Sequence, residues 1–165
     1  MKIGIALGSN LGDRMANLRA AREAIVDLAA NKSVLASRTY ETEPVDCEPG
    51  SGKFLNAVLE IEFDGDPSEL LQELIRVEES LGRDRKHAAN VSRKIDIDIL
   101  YADDLVISNE RLQLPHPRLH QRKFVLQPLA DIRPELILPD QKKPVSDLLA
   151  QIQDSTKVDC FAEKW

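Results

Sequence analysis

Asp96 and Asp98 are the residues of this chain whose type and spacing most directly suggest chemistry. They sit in Arg93-Lys94-Ile95-Asp96-Ile97-Asp98-Ile99-Leu100, where apolar and acidic side chains alternate with the period of a β-strand. In a strand, Ile95, Ile97 and Ile99 turn to one face and the aspartates to the other, about 7 Å apart at a rise of about 3.3 Å per residue. Aspartate is depleted in strands, and two like charges on one face repel. A divalent cation would relieve that repulsion; an edge strand with a solvated acidic face that resists aggregation accounts for the same pattern. The residues just upstream weigh toward an ion and its ligand. Arg83, Arg85, Lys86, Arg93 and Lys94 stand against one acid, Asp84, a local net charge of about +4. A carboxylate pair beside a cationic loop suits a metal-bound polyphosphate.

A second cationic stretch runs from Arg111 to Lys123 and holds Arg111, Arg118, Arg122, Lys123, His116 and His120 with no acid. Yet the 165-residue chain carries a net charge of −6, and its 4% aromatic residues leave little for base stacking. Both facts argue against nucleic acid as a partner. An acidic protein with two local cationic segments points to a small anionic ligand. At 42% hydrophobic and 30% charged, the composition is that of a globular protein, expected as a single domain over 1–165 and as a monomer. No apolar run reaches the roughly 18 residues of a membrane span. Met1 to Leu7 is too short for a signal segment and runs straight into Gly8-Ser9-Asn10, so a cytoplasmic protein is expected. Cys47 and Cys160 fit no metal or redox spacing and read as free thiols.

The elements that must position these residues follow from periodicity and punctuation. A strand is expected over about 2–7, a tight turn at Gly8-Ser9-Asn10-Leu11-Gly12-Asp13, and a helix over about 13–30 with Met15, Leu18, Ile25 and Leu28 on one stripe. A strand over 33–40, a loop over 41–53 and a strand over 54–63 come next. The last of these buries Leu55, Ala57, Leu59, Ile61 and Phe63 and turns Asn56 the other way. Asp66, Pro67 and Glu69 spell the start of a second helix, with Leu70, Leu74, Val77 and Leu81 as its stripe and Gly82 as its end. After the acidic strand come a turn at Asp103-Asp104, a short strand over 105–107, a stiff turn at Leu114-Pro115-His116-Pro117, a helix over about 119–132 interrupted by Pro128, and a last helix over 146–152. The order strand–helix–strand–strand–helix–strand is the ferredoxin-like βαββαβ pattern: an α+β fold with an antiparallel sheet, two helices on one face and added C-terminal strands and helices.

The motifs, in order, resemble the 6-hydroxymethyl-7,8-dihydropterin pyrophosphokinase family. They are Leu7-Gly8-Ser9-Asn10-Leu11-Gly12, Tyr40-Glu41-Thr42-Glu43-Pro44, Phe54-Leu55-Asn56-Ala57, Glu78 with Leu81-Gly82-Arg83, the strand from Arg93 to Asp98, Leu114-Pro115-His116-Pro117-Arg118 and Arg122-Lys123-Phe124-Val125-Leu126. The resemblance implies transfer of pyrophosphate from ATP to the pterin hydroxymethyl group, with release of AMP. It implies two Mg²⁺ ions held by Asp96 and Asp98, the pair that the alternation had singled out. Asn56 matches the residue bonded to the pterin edge, Phe54 and Phe124 the aromatic pair stacked on the ring, and Thr42 and Val45 positions whose backbone meets the pterin. His116, Arg118 and Arg122 match residues around the triphosphate. Arg83 and Arg93 match loop arginines that close over the phosphates, and Glu78, Arg85, Ile99 and Arg111 match further nucleotide-side positions. Two departures stand out: Asn90-Val91-Ser92 where the family carries Trp-Gly-Pro, and Ile75 where it carries a glutamine. Other readings of the same residues are a pterin-binding relative without turnover and a small-anion regulatory domain that consumes no ATP.

Overall fold

The computed structural model describes residues 1–44, 50–82 and 93–165. Val45, Cys47, Arg83, Arg85 and the departure at Asn90-Val91-Ser92 lie outside the described residues. The chain runs β1 (Lys2–Ser9), α1 (Arg14–Leu28), β2 (Leu35–Ala36), β3 (Thr39–Thr42), β4 (Phe54–Glu62), α2 (Pro67–Ser80), β5 (Asp96–Ala102), β6 (Ile107–Ser108), β7 (Gln113–Leu114), α3 (Lys123–Ile132), α4 (Val145–Gln151) and β8 (Val158–Ala162). The main sheet has the order β5-β1-β4-β3-β8, every neighbouring pair antiparallel, with β2 beside β4. Its first four strands are the expected βαββαβ core.

β1 shows why the two faces differ. Ile3, Ile5 and Leu7 pack under α1 and α2 with Leu18, Ile25, Leu70 and Leu74, as the period of two requires. The alternate positions are Gly4, Ala6 and Gly8, all small. A Cβ on Gly4 would lie 2.1 Å from the Tyr101 ring, so glycine is what lets that ring cross the strand. The added C-terminal helices cover this second face: α3 and α4 pack on Val58, Leu100 and Tyr101.

Two acid–arginine–tyrosine clusters fasten α3. Glu60, 6% exposed, accepts from the Tyr101 hydroxyl (2.6 Å) and from Nε (2.9 Å) and Nη2 of Arg133. Burial pushes its carboxyl up, but the bonds from Arg133 and Tyr101 outweigh this and hold it below the usual range. Asp131 accepts from Nη2 (2.7 Å) and Nε (3.1 Å) of Arg38 and from the Tyr40 hydroxyl (2.8 Å).

The second helix starts as its sequence spells it. Asp66 accepts from the Ser68 N–H (2.7 Å), the Asp66 N–H donates to Glu69 (3.2 Å), and Gly82 ends the helix at φ +92. Elsewhere the boundaries shift. The single strand expected over 33–40 is two pieces, because Ser37 leaves the ladder to give its N–H to Val58 O (2.9 Å) while its hydroxyl takes the Val58 N–H (2.9 Å). The strand expected over 105–107 is Ile107–Ser108, paired with Gln113–Leu114. The break expected at Pro128 falls instead at Arg122, whose backbone is extended; a 3-10 turn over Leu119–Gln121 precedes it, and α3 continues through Pro128. β8, absent from the sequence reading, pairs with β3. Cys160 is an exposed free thiol. Among the described residues no helix is long and apolar enough to cross a membrane.

Candidate active site

A cleft of about 400 Å³ opens where the second face of the sheet runs past the N-terminus of α3. The register of β5 on β1 builds its floor: Asp96 stands across from Gly8 and Asp98 from Ala6, so both carboxylates rise beside strand positions too small to crowd them. Ile97 and Ile99 point into the opposite core. β4 adds Asn56, opposite Gly8 on the other side of β1. A Cβ at Gly8 would sit 3.6 Å from Asn56 Oδ1, so the bare glycine keeps the floor low. Phe54, on β4, and Phe124, on α3, line the same cleft.

Charge is concentrated at the acidic end. Arg93 Nη1 lies 2.7 Å from Asp96 Oδ1, so an arginine neutralises one member of the pair. His116 donates its backbone N–H to Leu100 O (2.8 Å), and its Nδ1 accepts the Arg118 N–H (3.2 Å). With Nδ1 an acceptor, the neutral ring carries its proton on Nε2. Burial, then Arg122 and Arg118, push the imidazole below its ordinary value. The Arg122 guanidinium stands 5.6 Å from the centre of the Phe124 ring, within cation–π range. On the far side, Asn56 Nδ2 donates to Thr42 Oγ1 (2.9 Å), which fixes the orientation of the buried amide.

The turn after β1 does more than reverse the chain. Asn10 holds Arg93 from both sides: its Oδ1 accepts the Arg93 N–H (2.7 Å) and its own N–H donates to Arg93 O (3.1 Å). The Ser9 hydroxyl donates to Lys94 O and accepts from Asn17 Nδ2 (3.1 Å), which also bonds Leu11 O (2.9 Å). Asn10 Nδ2 reaches Gly52 O (3.4 Å), just before β4. Ser9, Asn10 and Asn17 are therefore a clasp for the arginine that meets Asp96. By sequence, Ser9 and Asn10 fall in the tight turn over 8–13 and Asn17 in the helix over 13–30; the available signal was two donor–acceptor side chains at a strand end with a third near the start of the following helix. Glu43, also in the cleft and not among the expected site residues, pairs with Lys53 at 2.9 Å.

Of the residues expected at the site, Thr42, Phe54, Asn56, Arg93, Asp96, Asp98, His116, Arg118, Arg122 and Phe124 line this one cleft. Three described residues do not. Glu78 is buried behind it, where Oε1 accepts the Ile97 N–H (2.7 Å), the peptide between the two aspartates. Ile99 is in the core across from Ile5. Arg111 is exposed, its N–H bonded to Asn109 Oδ1 (2.9 Å) between β6 and β7. Among the described residues no three His, Cys, Asp or Glu side chains converge to hold a metal alone. Two carboxylates fit Mg²⁺, which keeps several waters and takes further oxygens from substrate phosphates.

A carboxylate pair ringed by arginines and a histidine, beside a cleft with two phenylalanines, on a ferredoxin-like sheet, defines an enzyme of phosphoryl-transfer type. The family model described as 7,8-dihydro-6-hydroxymethylpterin-pyrophosphokinase (HPPK) matches residues 4–134, and the chain belongs to that family, transferases that move pyrophosphate from ATP to the hydroxymethyldihydropterin in folate biosynthesis. Among its relatives, the 2-amino-4-hydroxy-6-hydroxymethyldihydropteridine pyrophosphokinase of Haemophilus influenzae is 38% identical over 150 residues, 91% of this chain and 92% of that one. The protein of the same name from Bacillus subtilis is 43% identical over 128 residues, 78% and 75% of the two chains. Among solved structures, wild-type HPPK-DHPS of Plasmodium falciparum superposes with a TM-score of 0.68 at 16% identity, a likeness of fold. It covers 91% of this chain, which spans 42% of that longer one.

Proposed function

We propose that this cleft is where the chain carries out pyrophosphoryl transfer, and that Asp96 and Asp98 would hold two Mg²⁺ ions there. The observation that carries the reading is the register of β5: both carboxylates face, over Gly8 and Ala6, the cleft that Arg93, His116, Arg122, Phe54, Phe124 and Asn56 also line. When bound, the metal ions neutralise phosphate charge and acidify the pterin hydroxyl.

The chain's own residues do the positioning. Phe54 and Phe124 stack on the bicyclic ring, and Asn56, held by Thr42, bonds its polar edge. Arg93, which now pairs with Asp96, would be available to the phosphates if that carboxylate held a metal. His116 offers Nε2–H to a phosphate oxygen, and Arg118 and Arg122 add fixed positive charge. Glu78 holds the backbone between the aspartates. By the family resemblance, Val45 meets the pterin, and Arg83, Arg85, Ile99 and Arg111 meet the nucleotide. The hydroxymethyl oxygen attacks the β-phosphorus and loses its proton to solvent, the bond from that phosphorus to the α-phosphate oxygen breaks, and AMP leaves with that oxygen. Residues 1–165 act as one domain, supported by a sheet that draws strands from Lys2 to Ala162, and the enzyme is a cytoplasmic monomer. Incubation with ATP, Mg²⁺ and the hydroxymethyldihydropterin should yield AMP and the pterin diphosphate; ADP as the main nucleotide product would overturn the reading.

A further inference from the structure

Helix α3 delivers Arg122 and Phe124 to the cleft, yet its own start is poorly built. The N-cap residue is Arg122, which has no side-chain oxygen to accept the first free N–H groups of the helix. The missing acceptor comes from a segment 31 residues away. Asp154 Oδ2 takes the Lys123 N–H at 3.0 Å, while its Oδ1 takes the Thr156 N–H at 2.8 Å and the Thr156 hydroxyl at 2.5 Å. Asp154 is half-buried between α4 and β8, beyond the residues 4–134 that the family model matches. A carboxylate there is also favoured by the positive end of the helix dipole. Burial opposes its charge, but the bonds from Thr156 and from the Lys123 N–H outweigh it and hold the group below the usual carboxylate range.

We infer that Asp154 is a positioning residue for the reaction: it caps α3 from the C-terminal segment and so fixes where Arg122 and Phe124 stand in the cleft. Lys123 lies directly between those two residues, so a loose Lys123 peptide lets both swing. The C-terminal segment is itself tied down. β8 pairs with β3, which carries Thr42. Farther on, Trp165 donates its indole N–H to Ser37 O (2.8 Å) and lies 5.2 Å from the Arg22 guanidinium. The tail thus links the cap of α3 to the strand at the opposite wall of the cleft.

The inference rests on the proposed roles of Arg122 and Phe124, and the test separates the two. Asp154→Ala should raise KM for ATP, for the pterin or for both by about three- to tenfold, the range expected for losing a helix cap, with a smaller change in kcat. Asp154→Asn keeps an acceptor for Lys123 but turns an amide NH2 toward the Thr156 N–H, so its KM values should fall between those of wild type and the alanine variant. Amide exchange at Lys123 should speed up most in the alanine variant and less in the asparagine variant. Combined with Arg122→Ala or Phe124→Ala, Asp154→Ala should add less than its effect alone. A folded Asp154→Ala with unchanged KM values, or full additivity in those combinations, would overturn the inference. If Asp154→Ala does not fold, Thr156→Val, which removes one of the bonds that orient the carboxylate, is read the same way. If Arg122→Ala and Phe124→Ala themselves leave KM unchanged, the site assignment fails, while exchange at Lys123 still decides whether Asp154 caps the helix.

Discussion

Two strands of this sheet carry the same alternation, Leu59-Glu60-Ile61-Glu62 in β4 and Ile95-Asp96-Ile97-Asp98 leading into β5, and both turn acids to the face opposite α1 and α2. The outcomes are opposite. Glu60 is 6% exposed and closed in by Tyr101 and by Arg133, the residue that ends α3. Asp96 keeps a 27% exposed side chain at a cleft, and its arginine is tied to the turn after β1 through Asn10 rather than to a helix. A carboxylate on a strand face is therefore not itself a sign of chemistry. Under the proposed function, the two acids differ in what holds their cation: Arg133 ends a packed helix, whereas Arg93 precedes β5 at the rim of the cleft.

The largest expected effect follows from that contrast. Asp96→Ala or Asp98→Ala should lower Mg²⁺-dependent turnover by at least about a hundredfold, with little change in melting temperature, because relief of like-charge repulsion offsets the partly exposed ion pair that Asp96 makes with Arg93. Glu60→Ala should do the reverse. It strands the buried Tyr101 hydroxyl and unpairs Arg133, at a cost of about 2–4 kcal/mol and a melting temperature lower by on the order of 10 °C. The specific activity of the folded fraction should be unchanged.

A third variant probes the clasp between these extremes. Asn10→Ala removes the side-chain bonds to the Arg93 N–H and to Gly52 O. Turnover should fall by about three- to tenfold, while amide exchange at Arg93 and Lys94 accelerates. Unchanged exchange there would show that other contacts hold the stem.

The smallest effect concerns His116, whose folded-state value is depressed. Its contribution to stability is present above the ordinary imidazole value of 6.5 and is lost as pH falls below it. Phosphate at Nε2 favours the charged ring, so the complex takes up a proton and ATP binds more tightly, by a few-fold, as pH falls from about 7 to about 6. Calorimetry in buffers of different ionisation enthalpy should detect that uptake in wild type and not in His116→Asn.

What the sequence made legible were features whose cause lies within a few residues. The start of α2 is an example: Asp66, Pro67 and Glu69 contain both halves of their capping box. The face assignment of Asp96 and Asp98 is another, since it needs only the period of a strand. What stayed hidden depends on partners far along the chain. Nothing near Ser37 announces that Val58 will draw it out of the strand, and nothing near Lys123 announces that Asp154 will start α3 there. β8 is hidden for the same reason: Val158-Asp159-Cys160-Phe161-Ala162 has one apolar side and takes its register from β3. Ten expected site residues meet in one cleft; for Phe54 and Phe124, which alone read as core residues, only the resemblance pointed there.

The account stands on the acid pair at the cleft, and metal binding tests it most directly. Mn²⁺ titration monitored by electron paramagnetic resonance, with α,β-methylene-ATP present, should give two bound ions per wild-type chain. Asp98→Asn should lose one ion or bind it at least about tenfold more weakly, whereas Glu60→Ala, held below its melting transition, should match wild type. Unchanged Mn²⁺ binding in Asp98→Asn would contradict the account.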